Sequence, residues 1–542
     1  MAASKQSSGK SQFFRIALIL ALNAAAVFAL WRIWPRGAGA AGSGDVQAAT
    51  SRPARVVDEL PKGPPPLDSA VRNRLDRDLR AIVAQWVEEA RKQSKNKVHQ
   101  GNAAVALHVR EVGSGQASDI ALGSDRLMRP ASNLKLVTTA AALALLGPDW
   151  SFRTRFDASG PIVEGVLRGN LVVRAGGDPL YDSNSNGDVE HLLAPVVDAL
   201  AAQGVRVIAG DLVLDEGTFQ APAPAPQWPD AGQHWAEYCA LSGGFSANRG
   251  CLTALVNPGS VGGPARVTIF PREHGLAVNL GVRTEAKGKL DVQCGAKPSG
   301  VLVRGSVPAG SDTFVASFSH PDPVELFGQA LGGALARRGI VVQGRLRRER
   351  NAPAQASLAV LETPLERVLA PINADSTNAA ADQLFFATAQ AIVGQGTRAA
   401  GAQTTQLALQ RLGVPTDGLA QVDGSGLSRA NQVTARQIVA LVEKVLTQDG
   451  RSARLFLDSL AVAGERGTLD DRMKDAPVRG RVRAKTGFIA GTSSLSGVAE
   501  TLDGRRFAFS ILVNYPDFGG LNPSVWKPMQ DALCKRLVET KP

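Results

Sequence analysis

The sequence is poor in cysteine, histidine and aromatic residues, and each shortage excludes a chemistry. Its four cysteines, Cys239, Cys251, Cys294 and Cys534, form no Cys-x-x-Cys pair, so a zinc or thiol-redox site has little support. The six histidines (His99, His108, His191, His234, His274, His320) are scattered along the chain. Neither His-Glu-x-x-His nor Gly-x-Ser-x-Gly occurs, which leaves no sign of a zinc peptidase or of a strand–turn–helix nucleophile elbow. There is also no long basic run, helix-turn-helix or zinc-finger pattern, although the formal net charge is +11. Lys and Arg are mixed with Asp and Glu, which reads as a solvated basic surface with weak attraction to an anionic envelope, not as a nucleic-acid partner.

What is present describes an exported, multidomain, globular protein. The chain has 542 residues, 44% of them hydrophobic and 20% charged, enough for a sizeable core and more than one domain. Lys5, Lys10 and Arg15 precede an apolar stretch of 16 residues, Ile16–Trp31, followed by Arg32, Arg36 and Ala38-Gly39-Ala40. A basic start, an apolar core and a small-residue site over residues 1–36 read as a secretory signal. The stretch is short of the roughly 20 residues a spanning helix needs, and a retained single-pass anchor is the alternative. In an exported protein the cysteines can oxidise, and Cys239 with Cys251 is the expected pair.

Residues 37–66, rich in Ala, Gly, Ser and Pro, read as an exposed linker. Apolar residues at helical spacing predict an amphipathic helix over 68–93 (Val71, Leu75, Leu79, Ile82, Val83, Trp86). A strand at 103–109 follows, and then an apolar helix that starts after Pro130 and stops at Gly147-Pro148. Between about 150 and 350 the character changes to short β-type runs, at 170–174, 205–214, 265–270, 276–282 and 300–307. Helices are expected at 323–338, 365–369, 378–393, 404–412 and 435–446, strands at 480–485, 494–499 and 506–514, and a closing helix through 526–538. The division expected is a catalytic domain in two parts, 67–152 and 353–542, interrupted by β-rich material at 153–352.

Three short motifs carry the chemistry. Ser132-Asn-Leu-Lys135 opens the apolar helix. Residues three apart share a helix face, so the lysine amine reaches the serine hydroxyl. A hydroxyl is a poor nucleophile until a base takes its proton, and burial beside another cation brings a lysine toward the neutral form that can do so. Ser376-Thr377-Asn378 begins a helical stretch; on an extended segment Ser376 and Asn378 would point the same way. Lys485-Thr486-Gly487 ends a strand-like run, where a cation and a hydroxyl suit a carboxylate. There a strand edge suits an extended peptide, and Gly487 would let the substrate backbone come close. Each alone has a plain reading: an N-cap serine for Ser132 and Ser376, and a turn after a strand for Lys485. Ser-x-x-Lys also occurs at Ser7, Ser94 and Ser524, and Ser-x-Asn at Ser94 and Ser246. Only Ser132 opens a long apolar helix, and only the set Ser132, Ser376, Lys485 has the order found in penicillin-binding proteins and class A β-lactamases.

On these motifs the chain resembles the class C low-molecular-mass penicillin-binding proteins, the D-alanyl-D-alanine carboxypeptidase/endopeptidase family. Arg129–Lys135, Asn170–Pro179, Gly210–Asp215, Asp423–Ser428 and Gly467-Thr-Leu469 are similar to segments of that family, from about residue 70 to the end. The resemblance implies an α+β fold: a transpeptidase domain with an antiparallel sheet and helices, interrupted by β-rich inserted domains. It implies peptidoglycan peptides ending in D-Ala-D-Ala as substrate, β-lactams as covalent inhibitors, no cofactor and no metal. It also implies a periplasmic location, with peripheral or single-pass inner-membrane association as an option. In the roles it implies, Ser132 is the nucleophile and Lys135 its base, and Ser376 and Asn378 assist proton transfer. Lys485, Thr486 and Gly487 bind substrate, and the backbone N–H groups of Ser132 and Phe488 hold the oxyanion. Thr377 and Phe488 depart from the usual pattern, where Asp and a small or hydroxyl residue are frequent. The competing readings are a β-lactamase, for which no deacylating Glu can be placed, and a non-catalytic peptidoglycan-binding protein.

Overall fold

The computed structural model describes residues 64–448 and 450–541. The expected signal or anchor at 1–36 and nearly all of the linker at 37–66 lie outside the described residues. Among the described residues no helix is long and apolar enough to cross a membrane.

The chain begins with helix α1 (Ser69–Gln93), capped by the Asp68 side chain on Val71 N (2.8 Å). Strands β1 (Ala104–Glu111) and β2 (Ile120–Leu122) come next, then α2 (Leu134–Leu146). After a long insertion come α3 (Leu365–Asn373), α4 (Asn378–Val393), α5 (Arg398–Leu412), α6 (Ala435–Leu446) and α7 (Gly450–Ser459). Strands β3 (Ala461–Val462), β4 (Val482–Ile489), β5 (Thr492–Glu500) and β6 (Arg506–Asn514) and helix α8 (Lys527–Val538) close the chain. One antiparallel sheet in the order β3-β4-β5-β6-β1-β2 joins strands from both sides of the insertion. Leu107, Val109, Leu495, Phe509 and Ile511 bury one face of it against α1 and α8. Ala106, Val498, Ala508 and Leu512 bury the other against α2 and α6. Alternation along each strand supplies both faces, and the sheet is covered on both sides.

Helix α2 sits inside this second layer. Every residue from Leu134 to Leu143 is buried, so the helix is apolar all round, as core helices are, and Lys135 is buried with it. The helix stops at Gly147, whose φ of +84° a residue with a Cβ would resist.

The insertion enters on strand Ser151–Ala158 and leaves on Ala356–Pro364, which pair antiparallel. Entry and exit are thus adjacent, so the chain leaves and rejoins the layers around the six-stranded sheet at one place. This part has its own core, including Phe156, Leu214, Phe245, Phe318 and Phe327, and four small sheets. Two expectations change here. The run at 205–214 is two short strands, Val207–Ile208 and Leu212–Asp215, in different sheets. Gly210 lies between them in a tight spot, where a Cβ would stand 2.3 Å from Asn170 Oδ1. Within this β-type region residues 190–202 form a helix, whose buried Leu193, Val196, Val197 and Leu200 follow helical spacing. Elsewhere, α5 starts at Arg398 under a Thr397 cap instead of at 404, and α7 was not read from the sequence. The expected Cys239–Cys251 disulfide is not formed; all four cysteines are free thiols.

Candidate active site

The three motifs converge although they lie far apart in sequence. Ser132 stands on a single 3-10 turn, Ala131–Asn133, that opens α2. Ala131 holds a left-handed φ of +48°, a strained conformation for a residue with a Cβ. The surroundings over-determine that turn. Asn514 Oδ1 receives Arg129 N (2.9 Å) and its Nδ2 donates to Arg129 O (3.0 Å). Ser494 Oγ donates to Pro130 O (2.7 Å), and Asn133 Nδ2 to Lys485 O (2.9 Å). Gly426 meets the turn from the other side, where a Cβ would stand 1.9 Å from Ala131 O.

Lys135 Nζ has three oxygen partners: Ser132 Oγ at 2.9 Å, Asn378 Oδ1 at 2.6 Å and Ser425 O at 2.7 Å. Two of these, the amide and carbonyl oxygens, can only accept. A neutral amine therefore spends its two N–H groups on Asn378 and Ser425 and turns its lone pair to the Ser132 hydroxyl. Burial brings the Lys135 pKa down from 10.5 to about 7, against the pull of Asp382 and Asp423.

Asn378 is the first residue of α4, and its other amide atom, Nδ2, donates to Tyr238 O (2.8 Å) in the insertion. Its orientation is thereby set from both sides. Ser376 departs from the sequence expectation. Its φ is +65°, and the N-cap position belongs to Thr377. Ser376 is half-buried at the cleft and hydrogen-bonds to neither Ser132 nor Lys135 among the described contacts.

On the opposite wall, Lys485 is fully buried on β4 and donates to Thr486 O (3.0 Å). Burial, and then the nearby Lys135, hold its pKa well below the ordinary value, while Asp375 pulls the other way. Thr486 Oγ1 donates to Thr468 Oγ1 (2.8 Å), which places the 467–469 segment beside the cleft. Glu500 N donates to Arg481 O (2.8 Å), and β4 pairs with β5 in unbroken register. Hydrogen-bonding direction alternates along an antiparallel strand, so Thr486 and Phe488 turn their N–H and C=O groups to the other edge. There β3 pairs only with Arg483 and Ala484. The edge beyond is open to an extended ligand.

Gly487 has a different reason from the one expected. A Cβ there would lie 2.2 Å from Ser494 Oγ, 3.0 Å from Pro130 O and 3.1 Å from Asn133 Nδ2. The glycine lets the nucleophile turn dock on β4, so the close approach is internal to the protein. Sequence reasoning marked 423–428 as a family-like segment but gave Asp423 and Ser425 no role, and it did not single out Asp382. Asp423 is buried and receives Gly426 N (2.7 Å), Ser428 N (2.8 Å), Asn431 Nδ2 (2.9 Å) and Trp228 Nε1 (2.9 Å). The Asp423–Ser428 resemblance was the signal for the first two, and it carries no role on its own. Among the described residues no group of three or more His, Cys, Asp or Glu is placed to hold a metal ion.

A serine whose hydroxyl faces a buried lysine, across from a Lys-Thr-Gly strand edge, defines a serine peptidase of the penicillin-binding class. Comparisons agree and narrow the class. The family model of D-Ala-D-Ala carboxypeptidase 3 (S13) matches residues 90–537. A D-alanyl-D-alanine carboxypeptidase of Actinomadura is 34% identical over 438 residues, 77% of this chain and 78% of that protein. The crystal structure of penicillin binding protein 4 from Haemophilus influenzae covers 82% of this chain and 98% of its own, with a TM-score of 0.67 at 23% identity. The same protein complexed with a β-lactam gives a TM-score of 0.63, at 23% identity over 82% of this chain and 99% of that one. The chain belongs to the D-Ala-D-Ala carboxypeptidase 3 (S13) family and is a serine carboxypeptidase, with an α+β fold like that of the solved structures it matches.

Proposed function

We propose that Ser132 is the acylated nucleophile of a carboxypeptidase that removes the terminal D-alanine from peptidoglycan stem peptides. The observation that carries this is the set of three oxygen partners around Lys135 Nζ. A buried amine titrating near neutrality, with its lone pair aimed at a hydroxyl, is a general base at working pH.

In this mechanism the peptide lies along the open edge of β4 with its terminal carboxylate between Lys485 and Thr486. The incoming carboxylate adds a second counter-charge to that of Asp375 beside the buried Lys485, and so favours the ammonium. Lys135 takes the Ser132 proton and Oγ attacks the carbonyl between the two D-alanines. The oxyanion sits between the N–H groups of Ser132 and Phe488, dipoles already fixed by the 3-10 turn and by β4. Collapse breaks the C–N bond, and the leaving amine takes the proton, with Ser376 at the cleft as the relay. Asn378 keeps Lys135 aligned and borders the peptide. Water then hydrolyses the acyl-enzyme. The exposed Phe488 side chain stands at the cleft mouth, where it shapes substrate preference.

We further propose that residues 153–352 are the inserted part and that 67–152 with 353–542 form the catalytic part. The enzyme works in the periplasm, exported by its N-terminal segment, which is a secretory signal or, in the alternative, a retained membrane anchor. D-alanine release from a peptide ending in D-Ala-D-Ala tests the reading. The parent should release it and Ser132→Ala should not; equal release by both would remove Ser132 from the reaction.

A further inference from the structure

Behind the nucleophile lies a buried charge cluster that the mechanism above does not use. Asp382 is one turn beyond Asn378 on α4, and residues four apart share a helix face. That face also carries Asn378 to Lys135. Asp382 is 4% exposed, and its Oδ1 receives Gly424 N (2.7 Å), next to Ser425, whose carbonyl takes Lys135 Nζ. Asp423, equally buried, flanks the same glycine. From α5, the Arg398 guanidinium, whose Nη2 donates to Ala223 O, acts on both carboxylates through its charge, and its Nε is buried without a hydrogen-bond partner. The charged groups acting on Asp382 are thus Asp423 from the loop, Arg398 from α5 and Lys135 from α2. Lys485 on β4 lies beyond Lys135.

We propose that Asp382 is a positioning residue for catalysis, whose own charge decides whether Lys135 stands as ammonium or as the amine that activates Ser132. The inference rests on the function proposed above. A charge as deeply buried as Lys135 is stable only with a counter-charge, and Asp382 can supply or withdraw one. Ionised, it holds the ammonium and silences the base. Protonated, it leaves Lys135 free to shed its proton. Burial pushes the Asp382 carboxyl up and Lys135 down into one range, and where the pair's remaining proton rests on the lysine, an ionised Asp382 is what keeps it there. The two groups then titrate as a pair.

Asp382→Asn keeps an acceptor for Gly424 N and removes the charge. The measurement is the pH dependence of the second-order rate of acylation by a penicillin, on enzymes that both still form the adduct. Because an ionised Asp382 only favours the ammonium, its removal should move the acid limb to lower pH by about one unit, with Asp382→Glu restoring the parent profile. A purely structural Asp382 would change the rate or the melting temperature but leave the limb in place, and an unmoved or raised limb overturns the proposal. Should Asp382→Asn fail to fold, the wild type alone decides. Its acid limb should be broader than one ionisation curve, and a limb that fits a single ionisation overturns the pairing. Absence of any adduct in the parent would instead sink the Ser132 reading itself.

Discussion

Replacing Lys135 by methionine should abolish activity and yet stabilise the fold. A lysine whose pKa falls from 10.5 to about 7 on burial weakens the folded state at low pH, by about 1.4 kcal/mol per unit. The ceiling at pH 6 is therefore about 5 kcal/mol. Methionine is similarly long, unbranched and apolar. It leaves Asn378 Oδ1 and Ser425 O without their donor, which costs about 1 kcal/mol each. The net gain is about 2–3 kcal/mol at pH 6. Its pH dependence has a fixed sign. Between pH 7 and pH 10.5 the unfolded chain holds a proton that the folded one has released, so the parent gains stability as pH rises. The burial penalty falls to about 2 kcal/mol at pH 9, and the advantage of the variant vanishes there. Thermal melting of both proteins at pH 6 and pH 9 measures this. A variant less stable than the parent at pH 6, or a difference that does not change with pH, would refute the reasoning.

Other consequences are as direct. Gly487→Ala forces a Cβ to 2.2 Å from Ser494 Oγ and lifts the nucleophile turn. Acylation should fall about 100-fold and stability by about 1–3 kcal/mol, with partial recovery when Ser494→Ala is added; an unimpaired single variant would contradict the docking role. For a β-lactam bearing a carboxylate, acylation should decline at high pH as Lys485, held below its ordinary pKa, loses its proton. An analogue with the carboxylate masked as an amide should lack that decline, and matching profiles would separate Lys485 from carboxylate binding.

Much of this architecture was legible because it is local. The apolar run after Pro130 fixes α2, and alternation fixes β1, β5 and β6. The motif order joins Ser132, Ser376 and Lys485 without any knowledge of contacts. What stayed hidden is long-range. Ser425 reaches Lys135 through a backbone carbonyl, 290 residues away in sequence, and a carbonyl leaves no trace in residue type. Asp382 looks like an ordinary polar residue of a helix until α5 and the Asp423 loop close over it. Gly487 reads as room for substrate until Ser494 and Pro130 are seen to occupy that space. The helix at 190–202 had a readable period but lay among β-type runs whose turn residues dominated the pattern. Cys239 and Cys251 are close in sequence, and each is buried in its own packing as a thiol.

The most direct test of the account is the intact mass of the purified protein, from about residue 50 onward, after incubation with a penicillin. The account predicts one stoichiometric adduct on the parent and none on Ser132→Ala. A folded parent with no adduct and no penicillin turnover, or an adduct that survives in Ser132→Ala, would contradict it.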